Sequence, residues 1–193
     1  SSASHGAHPQ NLLKDPENQL LWKQHTKRME SQVIRDSLLK SAGLLDERMG
    51  GPSLEADKPH PRRSLYFRHS RDDQERFLGL FDDASILECY RRSESIIPQQ
   101  ALALSNSQLS MDAAMGIAHH LGWEEKNTPA SEERFIERAF QTLLGWDPEE
   151  EERNLCRASL KAWKEDPPQN GQPNAGISLI HSLMNHNDFI TIR

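Results

Sequence analysis

Apolar residues recur at three- and four-residue spacing along most of this sequence, and only two short stretches read differently. That spacing places apolar side chains on one face of a helix. The strand candidates are Leu65-Tyr66-Phe67, short and aromatic-rich, and Phe189-Ile190-Thr191-Ile192, which alternates. A lone strand would bury unpaired backbone groups, so the two are expected to pair with each other. The expected fold is mainly α: a helical, bundle-like domain with one short two-stranded β element.

Helix starts and stops can be read along the chain. Asp15-Pro16-Glu17 combines a capping Asp, a first-turn Pro and an acidic residue at the positive end of the dipole. Leu21, Trp22, Met29, Val33, Ile34 and Leu38 follow at helical spacing, and Gly43 is placed to end that helix. Gly50-Gly51-Pro52 cannot be helix interior. Ser70 and Asp73 have capping-box spacing ahead of Phe77, Leu78 and Phe81. Pro98 opens a helix that Asn106 breaks, and another spans about 108–121. Ser131 opens a helix that Gly145 closes. Asp147-Pro148-Glu149 starts its partner, carrying Leu155, Leu160 and Trp163, and the two should form an antiparallel hairpin. A last helix spans about 176–185. Residues 1–14 read as an extended segment. Residues 15–193 read as a single mainly helical domain, in sub-regions 15–122 and 131–193 joined by a charged linker.

Composition narrows function. Of 193 residues, 35 % are hydrophobic and the net charge is -6. Counted with Gly and without Tyr, the apolar share is about 39 %, below the ~45–50 % of an average globular domain. This suggests a thin core whose remaining apolar surface another domain covers. An acidic balance argues against a general nucleic-acid surface. No stretch approaches the ~18 consecutive apolar residues of a membrane span. The opening residues have no signal-peptide pattern. Two cysteines, Cys89 and Cys156, are too few for a disulfide scaffold, and they are expected to be unbridged.

Motifs for catalysis are sparse. His119-His120 are adjacent, and His181 and His186 are five apart, so neither pair suits one helical face of metal ligands; no metal site is expected. No nucleophile elbow, phosphate loop or dinucleotide fingerprint occurs. The run Glu149 to Glu152 opens a helix, where dipole compensation explains it. The arginines are the candidates for binding. Arg62, Arg63, Arg68, Arg91 and Arg92 surround the first strand candidate and the segment before Pro98. A guanidinium fork suits a carboxylate, sulfate or phosphate. The competing reading is internal pairing with Asp72, Asp73, Asp82, Asp83 and Glu88. One of Arg91 and Arg92 should turn inward as a clamp, the other outward.

Several segments occur in a recognisable order. Arg35-Asp36 and Gly43-Leu44-Leu45 precede Gly50-Gly51-Pro52-Ser53. Arg62-Arg63-Ser64-Leu65-Tyr66, Cys89 and Arg91-Arg92 follow, and then Pro98-Gln99-Gln100-Ala101-Leu102 runs on to Asn106. Leu143-Leu144-Gly145, Asp147-Pro148, Leu183-Met184-Asn185 and Phe189 complete the order. This order resembles the C-terminal domain of unknown function in large planctomycete proteins that also carry a planctomycete-type cytochrome c domain. The resemblance covers nearly the whole chain. Gly50, Gly51, Pro52, Cys89, Pro98, Gln99, Gln100 and Asn106 are its structural signature. Ser105 stands where an apolar residue is expected.

The resemblance implies a later part of a large, exported, extracytoplasmic parent. It implies no cofactor in this chain and haem c in a separate domain. Partners would be other domains of the same parent, with polysaccharide as a further candidate, and no nucleic acid and no membrane span here. Two functions follow as expectations: a non-catalytic structural and interaction module, or part of a site for an anionic, sulfated or uronic-acid, polysaccharide built on the arginines.

Overall fold

A computed structural model describes residues 9–22, 27–55, 58, 60–68, 76–80, 97–124, 128–165 and 173–192. Over these described residues the fold is mainly helical with one two-stranded antiparallel sheet. The helices are α1 (Pro9–Lys14), α2 (Ser31–Ser41), α3 (Arg76–Leu80), α4 (Ile97–Asn106), α5 (Gln108–His120), α6 (Pro129–Leu143), α7 (Glu150–Glu165) and α8 (Ala175–Met184). Strand β1 (Lys27–Arg28) pairs with β2 (Thr191–Ile192), Lys27 opposite Ile192 and Arg28 opposite Thr191.

The second half forms the helices expected of it. Ser107, Thr128 and Asn174 each accept a backbone N–H from the residue three positions on, closing the N-termini of α5, α6 and α8. Thr128 moves the start of α6 ahead of Ser131, so Pro129 sits in its first turn. Helix α6 buries Phe135, Ile136, Ala139, Phe140 and Leu143, and α7 packs back against it with Cys156 and Leu160. Leu155 faces solvent instead of the core. Helix α8 lies against α5 as well as α6 and α7. One hydrophobic core therefore runs from Ile34 and Leu38 of α2 to Met184, Phe189 and Ile190. Where α8 begins, Gly176 meets the face of Trp123: a Cβ there would lie 2.2 Å from the indole.

The structure departs from expectation in three places. Residues 9–14, read as extended, form α1. Asp15-Pro16-Glu17 does not start a helix. The Asp15 carboxylate accepts the N–H groups of Gln19 and Leu20 at 2.9 and 2.7 Å. It thereby closes a turn, and Asn18 and Leu21 take left-handed φ of 55 and 53°. Such φ values interrupt an α-helix. The helix begins at Ser31 instead. Neither strand candidate is a full strand. Ser64–Tyr66 is a 3-10 turn, and Asn187–Ile190 is another that sends Phe189 and Ile190 into the core. They do not pair with each other: β2 pairs with β1, and Phe67 forms an isolated parallel bridge with Leu54.

Candidate functional site

The arginine-rich region is organised by α2. Arg35 and Asp36 sit on successive positions of that helix and reach the loop 44–68, which has its own sparse frame. Asp46 N–H donates to Pro61 O at 2.8 Å, Leu54 N–H to Tyr66 O at 2.7 Å, and Arg68 N–H to Leu54 O at 2.8 Å. These bonds bring two stretches of the loop side by side, and α2 clasps the returning one.

Arg35 is 3 % exposed. Its guanidinium donates to the carbonyl oxygens of His60 and Arg62 and to Ser64 Oγ, the last two at 3.0 and 3.2 Å. It also lies over the Phe67 ring, 4.7 Å from the centroid. A guanidinium cannot lose its charge, so its burial demands this many acceptors. Asp36 completes the clasp. It accepts Ser64 N–H at 2.8 Å and Ser64 Oγ–H at 2.6 Å, while Arg35 stands 3.4 Å away.

Arg62 makes a second clasp at the loop tip. Its guanidinium donates to Gly50 O and lies 3.9 Å from the Tyr66 ring centroid. The Tyr66 hydroxyl in turn accepts Gly50 N–H at 2.6 Å. Gly50 and Gly51 have φ of 77 and 98°, and a Cβ on Gly51 would stand 3.3 Å from the Arg62 guanidinium. The Gly-Gly turn is thus required twice, for its backbone and for room. Asp46 and Arg48 form a bidentate exposed pair at 2.7–3.0 Å. The Arg48 hydrogen bonds hold the Asp46 carboxyl down at about 2.

The anion-binding candidates are thereby separated. Arg62 faces its own loop. Arg63 is 42 % exposed, with Nε 3.9 Å from Asp36 Oδ2. Arg68 is exposed. Arg91, Arg92 and Cys89 lie outside the described residues, as do Asp72, Asp73, Asp82, Asp83 and Glu88. Gly50, Gly51 and Pro52 form the loop tip, Pro98, Gln99 and Gln100 fall in the first turn of α4, and Asn106 is its last residue. Ser105 Oγ donates to Asn185 Oδ1 at 2.9 Å, tying the end of α4 to the end of α8. Arg35 was absent from the anion-binding set. Its signal was its place beside Ile34 and Leu38, where a charged residue on an apolar helix face must find partners.

Carboxylates elsewhere are also paired. Glu133 accepts from Arg153 and Arg157 at 2.8 Å, and Glu137 from Arg153 at 2.7 Å, across the α6–α7 hairpin. The Arg157 and Arg153 hydrogen bonds lower the Glu133 pKa. Glu152 caps Glu149 N–H at 2.8 Å, as dipole compensation expects. Cys156 is a free, buried thiol, pushed up to about 11 by burial and then by Glu152 and Glu133. His181 Nε2 is 3.1 Å from Leu104 O. Among the described residues, no cluster of three His, Cys, Asp or Glu could hold a metal, and no helix is long and apolar enough to cross a membrane.

A family model described as PSD1, protein of unknown function (DUF1553), matches residues 2–160. No curated protein and no solved structure matches the chain.

Proposed function

Because the chain belongs to the PSD1 family of proteins of unknown function (DUF1553), we propose that it is a non-catalytic structural and interaction module. Its setting would be the C-terminal part of a large exported multidomain protein. The observation that carries this reading is the direction of Arg35 and Arg62. Both guanidiniums turn to carbonyl oxygens and aromatic rings of the same domain. A site for an anionic substrate would instead converge them on open space. The Glu133, Arg153 and Arg157 cluster is likewise an internal strut between two helices. Haem c, in this reading, belongs to another domain of the parent, and an extracytoplasmic location comes with that parent.

The test is to split the parent protein ahead of this domain and mix the two pieces. Stable association by size-exclusion chromatography, with no turnover of sulfated or uronic-acid glycans by the whole protein, supports the module. Glycan turnover that Arg62→Ala or Arg63→Ala abolishes in a folded protein would replace it with the polysaccharide-site reading.

A further inference from the structure

Met49 stands at the tip of the loop, beside Gly50, and is 76 % exposed. The chain has five methionines. Met115 is 44 % exposed, Met184 is fully buried, and Met29 and Met111 are half-buried. The Met49 thioether is therefore the one most open to a dissolved reagent. The turn beside it has room as well: a Cβ built on Gly50 would meet nothing within 4 Å.

The Met49 sulfur also faces a hydrogen-bond donor that the loop holds in place. Tyr66 Oη–H donates to Met49 Sδ at 4.0 Å, and the same oxygen accepts Gly50 N–H at 2.6 Å. The Arg62 guanidinium covers the Tyr66 ring, 3.9 Å from its centroid, and donates to Gly50 O. Ring, hydroxyl and glycine backbone are thus tied to one another. A phenol has one proton to donate, and here it goes to a thioether, which is a weak acceptor. An oxygen atom on that sulfur would be a polar acceptor placed toward the same proton.

We propose that Met49 is an oxidation site for hydroperoxides, and that its sulfoxide fastens the loop tip through Tyr66. In the step, a lone pair of Sδ attacks one oxygen of hydrogen peroxide. The S–O bond forms as the O–O bond breaks, and the sulfur gives up two electrons. The proton left on the transferred oxygen passes to the departing hydroxide, which leaves as water. The new oxygen extends from Sδ and accepts Tyr66 Oη–H at an ordinary hydrogen-bond distance. Tyr66 then stands between the Gly50 amide and the sulfoxide, two bonds in series that polarise each other. The same event turns the side chain at the tip from apolar to polar. This inference is independent of the interaction-module reading.

The test uses the full chain, hydrogen peroxide, and mass spectrometry of its peptides. Met49 should gain one oxygen before Met115, and well before Met29, Met111 and Met184. Hydrogen exchange is then followed at the Gly50 amide with and without peroxide treatment. Oxidation should slow that exchange about fivefold, the order of one hydrogen bond gained. Met49→Leu should show no such slowing, and neither should Tyr66→Phe, which keeps the sulfur but lacks the donor. Oxidation of Met115 ahead of Met49 overturns the proposal. So does unchanged or faster exchange at Gly50 after oxidation, or equal slowing in Met49→Leu. If Tyr66→Phe does not fold, the parent and Met49→Leu still decide the outcome, because the second removes only the sulfur.

Discussion

Arg35 donates a hydrogen bond to Ser64 Oγ at 3.2 Å, joining α2 to a residue 29 positions further on. The same guanidinium holds the carbonyls of His60 and Arg62. Replacing it with Ala would leave these acceptors inside the protein without a donor. Leaving buried acceptors unpaired typically costs about 1–3 kcal/mol. Arg35→Ala is therefore expected to lower stability by about that amount in urea unfolding. Arg35→Lys should recover little, because one ammonium cannot span the acceptors that a planar fork reaches. Limited proteolysis should show new cleavage within 44–60 in both variants. Stability like that of the parent would sink the clasp.

Gly176 and Trp123 provide a packing test. The indole has little room to retreat: Phe135 lies 4.7 Å away between ring centroids, and Lys164 Nζ stands 5.3 Å from the ring. Gly176→Ala is expected to destabilise by about 1–3 kcal/mol through overpacking. The double variant Gly176→Ala with Trp123→Leu should cost less than the sum of the two single changes. Simple additivity would mean the two residues do not compete for space.

Cys156 should be slow to react. With its pKa raised from 9.0 to about 11, the thiolate fraction at neutral pH falls about a hundredfold. In a Cys89→Ser background, alkylation by iodoacetamide at pH 7.5 should therefore be far slower in the folded protein than in urea. Similar rates in both states would show that the thiol is open to solvent.

Acid should loosen the molecule by way of Asp46 and Glu133. Both pKa values lie below the ordinary carboxylate value because guanidiniums donate to the charged forms. Such a group contributes stability above its unfolded pKa, and that contribution is lost as pH falls through the folded one. For Asp46 the window runs from about 4 down to about 2. Glu133→Gln should melt below the parent at pH 7, with the gap narrowing as pH falls through the carboxylate range. A gap independent of pH would mean that packing rather than charge accounts for Glu133.

Helices α5 to α8 were legible because their signals are local. The apolar stripes of α5, α6 and α8 repeat at helical spacing and Asp147-Pro148-Glu149 precedes α7. The caps at Ser107, Thr128 and Asn174 went unread, and Thr128 replaces the expected Ser131 at the opening of α6. The first half misled for an equally physical reason. Asp15-Pro16-Glu17 has the composition of a helix start, yet the Asp15 carboxylate reaches four and five residues on, to Gln19 and Leu20. Tyr66 and Phe67 looked like strand residues, but their rings lie under Arg62 and Arg35. The partners of the clasp were invisible in sequence. Its acceptors are largely backbone carbonyls, which every residue has, so nothing in the residue types at 60 and 62 announces that they will be held.

The β1–β2 ladder joins positions near opposite ends of the described chain. A contact between such distant positions closes a very long loop, and its entropy cost must be met before the ladder adds any stability. The compact α5–α8 assembly can form from nearer neighbours. The ladder should therefore close late in folding and open early in unfolding. In hydrogen exchange, the Met29 amide, bonded to Ile190 O at 2.8 Å, should lose protection before the buried middle of α5. The opened form would release Lys27 and Arg28 while the helical body stays closed, giving the domain a partly unlatched state below its global unfolding.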